Sequence, residues 1–310
     1  MKRPSGNSAT TSSPSAAASL SRESSRPDPP SHYAQSFRHA LYGRSPPVAG
    51  TMSLLTAAFL GIVEGITEFL PISSTGHLIL LERLLGVEIT RSVASFTVAI
   101  QLGAIAAVAL VSWRTFVRSR RTIWLVAAAF IPTGIIGLLA HRFVKMYLIG
   151  NVTLVLWTLS IGGVVLILFE LFQRQRKPQV LEIKQYSFPL AVLIGMFQSL
   201  AIVPGVSRSA ATVIGGMLLG ADRRSIVEFS FLLAIPTMAA ATGYDLLKSA
   251  PAFSLQDAAA IGVGFIFSFL TALIAIQWLL RFIKTHTFIA FGIERILAAL
   301  FVWLTIRGNI

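Results

Sequence analysis

Long apolar stretches separated by short polar segments fill the chain from residue 53 to residue 306. A helix needs about 20 mostly apolar residues to cross the hydrocarbon core of a bilayer. Six stretches reach this length, and the pattern therefore predicts six transmembrane helices. They cover residues 92–113, 121–140, 151–172, 225–247, 258–281 and 287–306.

Two further apolar stretches, 53–85 and 187–220, are interrupted near the middle. Pro71 and the Ser73–Gly76 run break the first, and Pro204–Gly205 breaks the second. The apolar piece on either side of each break is too short to span a bilayer. Broken helices occur at membrane depth where they line a wet cavity enclosed by protein. Each stretch is therefore predicted to form a re-entrant helical hairpin.

The two breaks follow one pattern. A shift of 134 residues places Gly61 on Gly195, Glu64 on Gln198, Ser73 on Ser207 and Thr75 on Ser209. Each half of the chain, about 53–172 and 187–306, is then one hairpin followed by three spans, and an odd number of spans inverts the second half. The sequence thus predicts an all-α integral membrane protein with six transmembrane helices and two re-entrant hairpins in an inverted repeat. Its binding site is expected where the hairpins meet.

The composition agrees with a membrane protein and excludes other classes. Apolar residues make up 54% of the 310 positions and charged residues only 13%, whereas a soluble domain carries about 25% charged residues. The mean hydropathy is +0.73. The formal net charge of +13 indicates basic loops and anionic lipid headgroups rather than nucleic acid. Because the chain has no cysteine, a disulfide framework, a thiolate metal site and a cysteine nucleophile are excluded.

Residues 1–51 differ from the rest of the chain. The first 50 positions hold 7 of the 14 prolines and 12 serines, and such a segment cannot bury a core, so disorder is predicted. Its Arg- and Ser-rich, acid-poor composition resembles an organellar transit peptide. Met52 directly opens the apolar sequence, and we therefore favour an N-terminal extension outside the mature protein, ahead of a membrane domain over 52–310.

The basic residues of the loops predict the orientation in the membrane. The loops on one side, at 114–121, 174–184, 223–224 and 281–284, carry 12 Lys and Arg residues, and those on the other side carry 6. The first side is expected to be cytoplasmic, because cytoplasmic loops carry an excess of basic residues. The first hairpin, and with it the site, then opens to the outer side.

Two carboxylates lie in the first break. Glu64 and Glu68 are four residues apart and therefore share one face of a helix. Two carboxylates on one face repel each other unless a cation or a shared proton lies between them. Oxygen ligands suit a hard divalent metal such as Mg²⁺, and the same pair suits acid–base catalysis. A purely structural role is the third interpretation.

Ser74 and His77 follow the first break. A helix that begins near Ser73 gathers free N–H groups and the hydroxyls of Ser73, Ser74 and Thr75 at its N-terminus, and such an end binds anions. His77 lies one turn from Ser74, which is the spacing of a nucleophile and its base. The two residues are therefore candidates for catalysis.

Arg208 lies in the second break, among Ser207, Ser209 and Thr212. A permanent cation at membrane depth needs an anion, and a guanidinium binds phosphate through two N–H groups. Phosphate is therefore the favoured partner, and an ion pair with a carboxylate of the first break is the alternative. The chain contains no Gly-x-x-x-x-Gly-Lys-Ser/Thr motif, so ATP hydrolysis has no support.

The segment 61–77, GIVEGITEFLPISSTGH, closely resembles the first signature of the bacterial undecaprenyl-diphosphatase (bacitracin-resistance) family. The segment 204–212, PGVSRSAAT, resembles the second signature, and the similarity extends over about 52–306. The resemblance implies a phosphatase of the bacterial inner membrane that converts undecaprenyl diphosphate to the monophosphate. This reaction recycles the lipid carrier of peptidoglycan synthesis and confers bacitracin resistance. The resemblance also implies six spans with two re-entrant hairpins and, in many members, a homodimer.

The functional residues of the family carry over by position. They are Glu64, Glu68, Ser74, His77 and Arg208, with Ser73, Thr75, Ser207, Ser209 and Thr212 around them. The resemblance leads to a hypothesis for the mechanism. Arg208 and the hairpin N–H groups hold the phosphates, and Glu64 and Glu68 bind Mg²⁺ or Ca²⁺. Either Ser74 is the nucleophile with His77 as its base, or His77 activates water. The undecaprenyl tail is expected to lie between spans, in contact with membrane lipid.

Two positions depart from the family pattern. Thr97 stands where Glu is common, which removes one acidic helper, and Glu294 stands where Tyr is common before Arg295. Glu228 and Arg295 are a candidate ion pair across the bundle.

The alternative function is an anionic-lipid transporter or flippase, because an inverted repeat with a site at the midplane is transporter architecture.

Overall fold

The computed structural model describes residues 52–87, 91–148, 151–173, 182–249 and 255–307. Within them the protein forms two short α-helices followed by three long ones, and the same order then repeats. The first five are α1 Leu54–Thr67, α2 Ser74–Leu84, α3 Arg91–Arg118, α4 Arg120–Phe143 and α5 Val152–Gln173. The second five are α6 Phe188–Gln198, α7 Arg208–Leu218, α8 Arg223–Ser249, α9 Leu255–Phe282 and α10 Ile289–Arg307. The predicted extension over 1–51 lies outside the described residues.

Short irregular helices join some of these elements. A π-helical turn, Val144–Leu148, follows α4. The 3₁₀ turns Ile183–Gln185 and Ser199–Ile202 lie before and after α6.

The six long helices are long and apolar enough to cross a membrane, and they confirm the six predicted spans. The protein is therefore a multi-pass membrane protein. Large apolar side chains such as Leu139, Trp157 and Ile274 are exposed on these helices. Exposed apolar surface of this kind is expected where a helix faces lipid.

Each short pair consists of a helix, a break and a second helix. In the first pair, residues 68–72 form a turn, and the Ser73 hydroxyl caps α2 by accepting a hydrogen bond from the Gly76 N–H at 3.3 Å. In the second pair, the Ser207 hydroxyl caps α7 by accepting from the Ala210 N–H at 3.2 Å. The predicted helix start near Ser73 is confirmed, and Ser207 uses the same cap. Insertion of the two pairs into the membrane as re-entrant hairpins stays a prediction.

Left-handed backbone conformations mark both breaks. Gly205 has a φ of 86°, which glycine adopts readily, and Ser73 has a φ of 73°, which is uncommon for a residue with a side chain. Ser73 is the only non-glycine residue with a positive φ in the described part of the chain. Such backbone is typical of binding and catalytic sites, where the surrounding structure holds it in place.

The first helix of each half packs against the fourth helix of the other half. Helix α1 packs along α9 of the second half, and α6 packs along α4 of the first half. Matching glycines permit these close approaches: a Cβ at Gly61 would collide with the Gly264 carbonyl, and a Cβ at Gly195 would collide with the Ala129 carbonyl. Helices α3 and α8 contact each other, as do α5 and α10. This is the contact pattern of two halves related by a two-fold axis, whereas inversion relative to the membrane stays a prediction.

An apolar core supports the first break. Phe69 packs edge-to-face on Phe231 of α8, with 5.4 Å between the ring centroids. Both rings belong to the main buried cluster, which also contains Val213 and Leu279. The polar residues of the break are therefore held against a close-packed apolar base.

Candidate active site

The two breaks contact each other directly. The Ser209 hydroxyl of α7 donates to the Leu70 carbonyl of the first break at 2.8 Å. Beside it, Nη2 of Arg208 lies 3.1 Å from Oε1 of Glu68. The N-terminus of α7 therefore sits against the turn between α1 and α2, as predicted from the two interrupted segments.

Arg295 joins the same two breaks from α10. Its side chain is fully buried, and Nη1 donates to the Pro71 carbonyl at 3.3 Å while Nη2 donates to the Gly205 carbonyl at 3.0 Å. Further donations reach the α5 carbonyls of Thr158 and Leu159. The candidate ion pair between Arg295 and Glu228 is wrong, because Glu228 instead accepts from Arg224 one turn before it on α8. Arg295 thus acts as a clamp on backbone carbonyls that the breaks leave without helical partners.

Glu64 is a fully buried carboxylate without a donor. Its side chain is 0% exposed, and neither oxygen accepts a hydrogen bond from any described group. The charged groups that act on it are Glu68 and Arg208. A hydrogen bond to Glu68 would require a proton shared between the two carboxylates, as the sequence suggested. An isolated buried carboxylate is costly, so this position demands either a proton or a cation.

Glu68 is engaged at both oxygens. Oε1 pairs with Arg208, and Oε2 accepts a short hydrogen bond from the Ser74 hydroxyl. The side chains of Glu68 and Arg208 are only 8% and 11% exposed. The ion pair with a carboxylate of the first break, which was the alternative partner predicted for Arg208, is therefore present.

Arg208 is held by partners at both terminal nitrogens of its guanidinium. Nη1 donates to the Ser230 carbonyl at 3.1 Å and Nη2 is used by Glu68, while Nε is buried without a partner among the described residues. The guanidinium also lies 5.9 Å from the centre of the Phe69 ring. These contacts fix the orientation of the planar guanidinium, which is what binding two oxygens of a phosphate at once requires.

Ser74 and His77 do not contact each other through a hydrogen bond in the described structure, so the predicted nucleophile–base contact is absent. Ser74 donates to Glu68 instead. His77 reaches back to the Ser73 carbonyl, 2.9 Å from Nδ1, and across to Glu294 of α10, 2.7 Å from Nε2. The two side chains lie within one helical turn, but each hydrogen-bonds to a different carboxylate. Ser74 bonds to Glu68, six residues before it, and His77 bonds to Glu294 of α10.

The other predicted phosphate-binding hydroxyls serve the framework of the breaks. Ser73 and Ser207 cap helices, and Ser209 holds the Leu70 carbonyl. Thr212 is fully buried and donates to the Arg208 carbonyl at 2.8 Å. Thr75 is the exposed member of the group. Their direct contact with substrate stays a prediction.

Two acidic residues near the site escaped the sequence reasoning. Glu294 was noted only as a departure from the family pattern, and nothing local indicates that it meets His77. Glu82 of α2 is buried and accepts a hydrogen bond from Thr97 at 2.9 Å. Its apolar surroundings in the sequence were the available signal, because a charged residue in such a segment needs a partner.

A divalent cation has a limited donor set at this site. In the described part of the chain, no group of three or more His, Asp or Glu side chains could hold a metal ion. Glu64 has two oxygens without a partner, whereas both oxygens of the neighbouring Glu68 are engaged by Arg208 and Ser74. Mg²⁺ is commonly bound by one or two carboxylates together with waters and substrate phosphates. The residues therefore fit an ion that shares its ligands with a phosphate substrate.

One protein-family model matches most of the chain. A family model described as bacitracin resistance protein BacA matches residues 57–301. The matched region contains every candidate residue of the site and both breaks.

Individual relatives match over nearly their whole length. The undecaprenyl-diphosphatase of Sulfurihydrogenibium sp. (strain YO3AOP1) is 47% identical over 253 residues, which cover 82% of this chain and 99% of that protein. The undecaprenyl-diphosphatase of Aquifex aeolicus (strain VF5) is 49% identical over 244 residues, covering 79% and 95%. The protein of the same name from Campylobacter jejuni subsp. jejuni serotype O:6 is 46% identical over 260 residues, covering 83% and 96%.

Proposed function

Since the chain belongs to the bacitracin resistance protein BacA family, we propose that it hydrolyses undecaprenyl diphosphate to undecaprenyl phosphate and inorganic phosphate. As an undecaprenyl-diphosphatase it returns the lipid carrier to peptidoglycan synthesis and confers resistance to bacitracin.

The observation that carries this proposal is the meeting of Glu68, Arg208 and Ser74 beside the donor-free carboxylate of Glu64. A diphosphate needs positioning and neutralisation of its charge more than covalent assistance. In the structure, the Glu68 carboxylate forms an ion pair with the Arg208 guanidinium. A substrate phosphate has the charge and the paired oxygens to replace it, and this replacement frees Glu68 for chemistry.

Ser74 is the proposed nucleophile and Glu68 the proposed base. The Ser74 hydroxyl donates to Glu68 before substrate binds, which is the arrangement of an activated nucleophile. Oγ of Ser74 forms a bond to the terminal phosphorus, its proton passes to Glu68, and the bond from that phosphorus to the bridging oxygen breaks. Undecaprenyl phosphate leaves, and water then hydrolyses the phosphoserine to release inorganic phosphate. Glu68 thereby takes the role that sequence spacing gave to His77.

Glu64 and Glu68 are the proposed ligands of a Mg²⁺ or Ca²⁺ ion. The support is the pair of unused Glu64 oxygens, which a hard cation would satisfy. When bound, such an ion neutralises charge on the phosphate oxygens.

The proposed location is the bacterial cytoplasmic membrane, with the site open to the outer side. The excess of basic residues in the loops at 114–121, 174–184, 223–224 and 281–284 supports this orientation. The undecaprenyl tail then lies between spans, against membrane lipid. A homodimer, which the family resemblance implies, stays a prediction.

Phosphate release from undecaprenyl diphosphate by the purified full chain in detergent tests the function. We expect inorganic phosphate and undecaprenyl phosphate in equal amounts, and loss of the activity on chelation of divalent ions. Ser74→Ala should abolish release, and a quenched wild-type reaction with labelled terminal phosphate should contain phosphoserine. Glu228→Gln, which alters an exposed ion pair of α8, is the matched control and should leave the rate unchanged.

Other outcomes contradict particular parts of the proposal. Movement of the intact diphosphate lipid across vesicles without phosphate release would replace the phosphatase with an anionic-lipid transporter or flippase. An unchanged rate after chelation of divalent ions would show that the reaction does not need a divalent cation. Full activity of Ser74→Ala would remove the serine nucleophile and leave water as the attacking group.

A further inference from the structure

His77 is held at both ring nitrogens. Nδ1 lies 2.9 Å from the Ser73 carbonyl, and Nε2 lies 2.7 Å from Oε1 of Glu294. The first partner belongs to the cap of the same helix, whereas the second comes from α10. The His77 side chain is 15% exposed and the Glu294 side chain 41%. Oε2 of Glu294 is buried without a hydrogen-bond partner among the described residues, so the described contact of this carboxylate is the one with His77.

The position of Glu294 is fixed by its neighbour in sequence. Arg295 is fully buried and donates to the Pro71 and Gly205 carbonyls, one in each break. Adjacent residues of a helix point in directions about 100° apart, so the clamp that Arg295 makes with the breaks also sets where Glu294 stands. As a result Glu294 faces the first turn of α2.

The two contacts are consistent with a proton on each ring nitrogen of His77. A carbonyl oxygen can only accept, so Nδ1 carries a proton toward Ser73. An ionised Glu294 can also only accept, so Nε2 carries a proton as well, and the ring is then an imidazolium. The charged groups that act on His77 are Glu294 and Arg295, both on α10. The carboxylate is in direct contact, whereas the guanidinium is occupied by carbonyls.

We propose that Glu294 is a positioning residue that keeps His77 protonated and oriented toward the first turn of α2, ready to donate to a substrate phosphate. The inference rests on the proposed phosphatase function. When substrate binds, a phosphate oxygen replaces Oε1 of Glu294 as the acceptor at Nε2. The proton stays on the nitrogen, and the Glu294 side chain, which is 41% exposed, turns aside. Activity should then require the imidazolium form of His77.

The test is the pH–rate profile of Glu294→Gln. Removing the carboxylate destabilises the imidazolium, so the pH at which activity declines on the alkaline side should fall by about one unit. On that limb, kcat should be about 10-fold lower than in the wild type, and it should recover when the pH is lowered by the same amount. The KM should be no higher than in the wild type. A uniform loss of kcat at every pH would overturn the proposal, because a structural defect does not titrate.

A double variant separates coupling from damage. In a His77→Gln background, adding Glu294→Gln should cause no further loss of kcat, because Glu294 acts through His77. Losses that multiply would contradict the proposal. Glu228→Gln, which changes an exposed carboxylate of α8, is the control and should leave the profile unchanged.

A readout without catalysis distinguishes this proposal from the function on which it rests. In protein with ¹³C-labelled histidine, the His77 signal is assigned by its absence in His77→Gln. Its titration midpoint should be lower in Glu294→Gln than in the wild type. If the wild-type protein releases no phosphate, the proposed function is wrong. The titration of His77 still shows whether Glu294 stabilises its protonated form. An unchanged midpoint would overturn the role of Glu294 whatever the activity.

Discussion

Glu64 and Gln198 occupy equivalent positions in the two halves of the protein, 134 residues apart, and both are buried. Their surroundings differ. The Gln198 amide donates to the hydroxyls of Thr133 and Thr237, each at 3.1 Å, and its carbonyl oxygen, 3.2 Å from the Thr212 hydroxyl, shares that proton with the Arg208 carbonyl. Glu64 has no donor at either oxygen among the described residues.

The difference separates a structural position from a chemical one. A buried amide with a full set of partners stabilises its surroundings, whereas a buried carboxylate without partners costs free energy. The free-energy cost of burying the Glu64 carboxylate is explained if a ligand or a proton binds to its oxygens during the reaction. In the proposed function most of the chemistry lies in the first half, and the second half contributes Arg208, Glu294 and Arg295 across the junction.

The largest expected effect is at the residue that crosses from the second half. Arg208→Lys should lower kcat/KM about 1000-fold, because a point charge cannot reproduce a fixed fork of donors. Insertion into the membrane and the unfolding temperature should stay near wild-type values. Near-normal turnover in this variant would show that the second half lends no phosphate clamp.

Glu64→Gln tests the chemical side of the comparison. Activity should fall about 100-fold, because an amide is a poorer ligand and carries no charge. The thermal unfolding temperature should not fall, since the variant removes a buried charge without donors. If the rate falls while the midpoint of the metal titration stays unchanged, the carboxylate is an acid–base group rather than a ligand.

Gln198→Leu tests the structural side. Loss of the amide should lower the free energy of unfolding by about 2 kcal/mol, because three hydrogen bonds are removed from a buried network. Turnover per folded molecule should be close to the wild-type value. Denaturant unfolding in detergent, together with phosphate release, measures both quantities. A loss of turnover with unchanged stability would place chemistry in the second half and break the comparison.

Ser207→Ala should have the smallest effect. The variant removes the cap of α7, so the free energy of unfolding should fall by about 1 kcal/mol, with activity largely retained. Unfolding experiments on the wild type and the variant provide the measurement. A large increase in KM without loss of stability would instead assign the Ser207 hydroxyl to substrate binding.

The sequence predicted the six spans, the two interrupted segments and the residues that meet between them. Hydropathy over about 20 residues and the breaking effect of Pro71 and Pro204–Gly205 are local properties, so they can be read without a fold. The caps at Ser73 and Ser207 are local for the same reason. The predicted nucleophile and carboxylates lie at one site because they belong to one short segment.

The tertiary structure alone decided the partners. His77 meets Glu294 across 217 residues, and Arg208 meets Glu68 across 140, and no local pattern encodes which helix faces pack together. Ser74 was expected to hydrogen-bond to His77. In the structure the Ser74 hydroxyl donates to Glu68, and His77 contacts Glu294 of α10. The difference between Glu64 and Gln198 has the same origin. Equivalent positions receive different neighbours once the halves are packed, and those neighbours decide whether a buried polar side chain is satisfied or left open for chemistry.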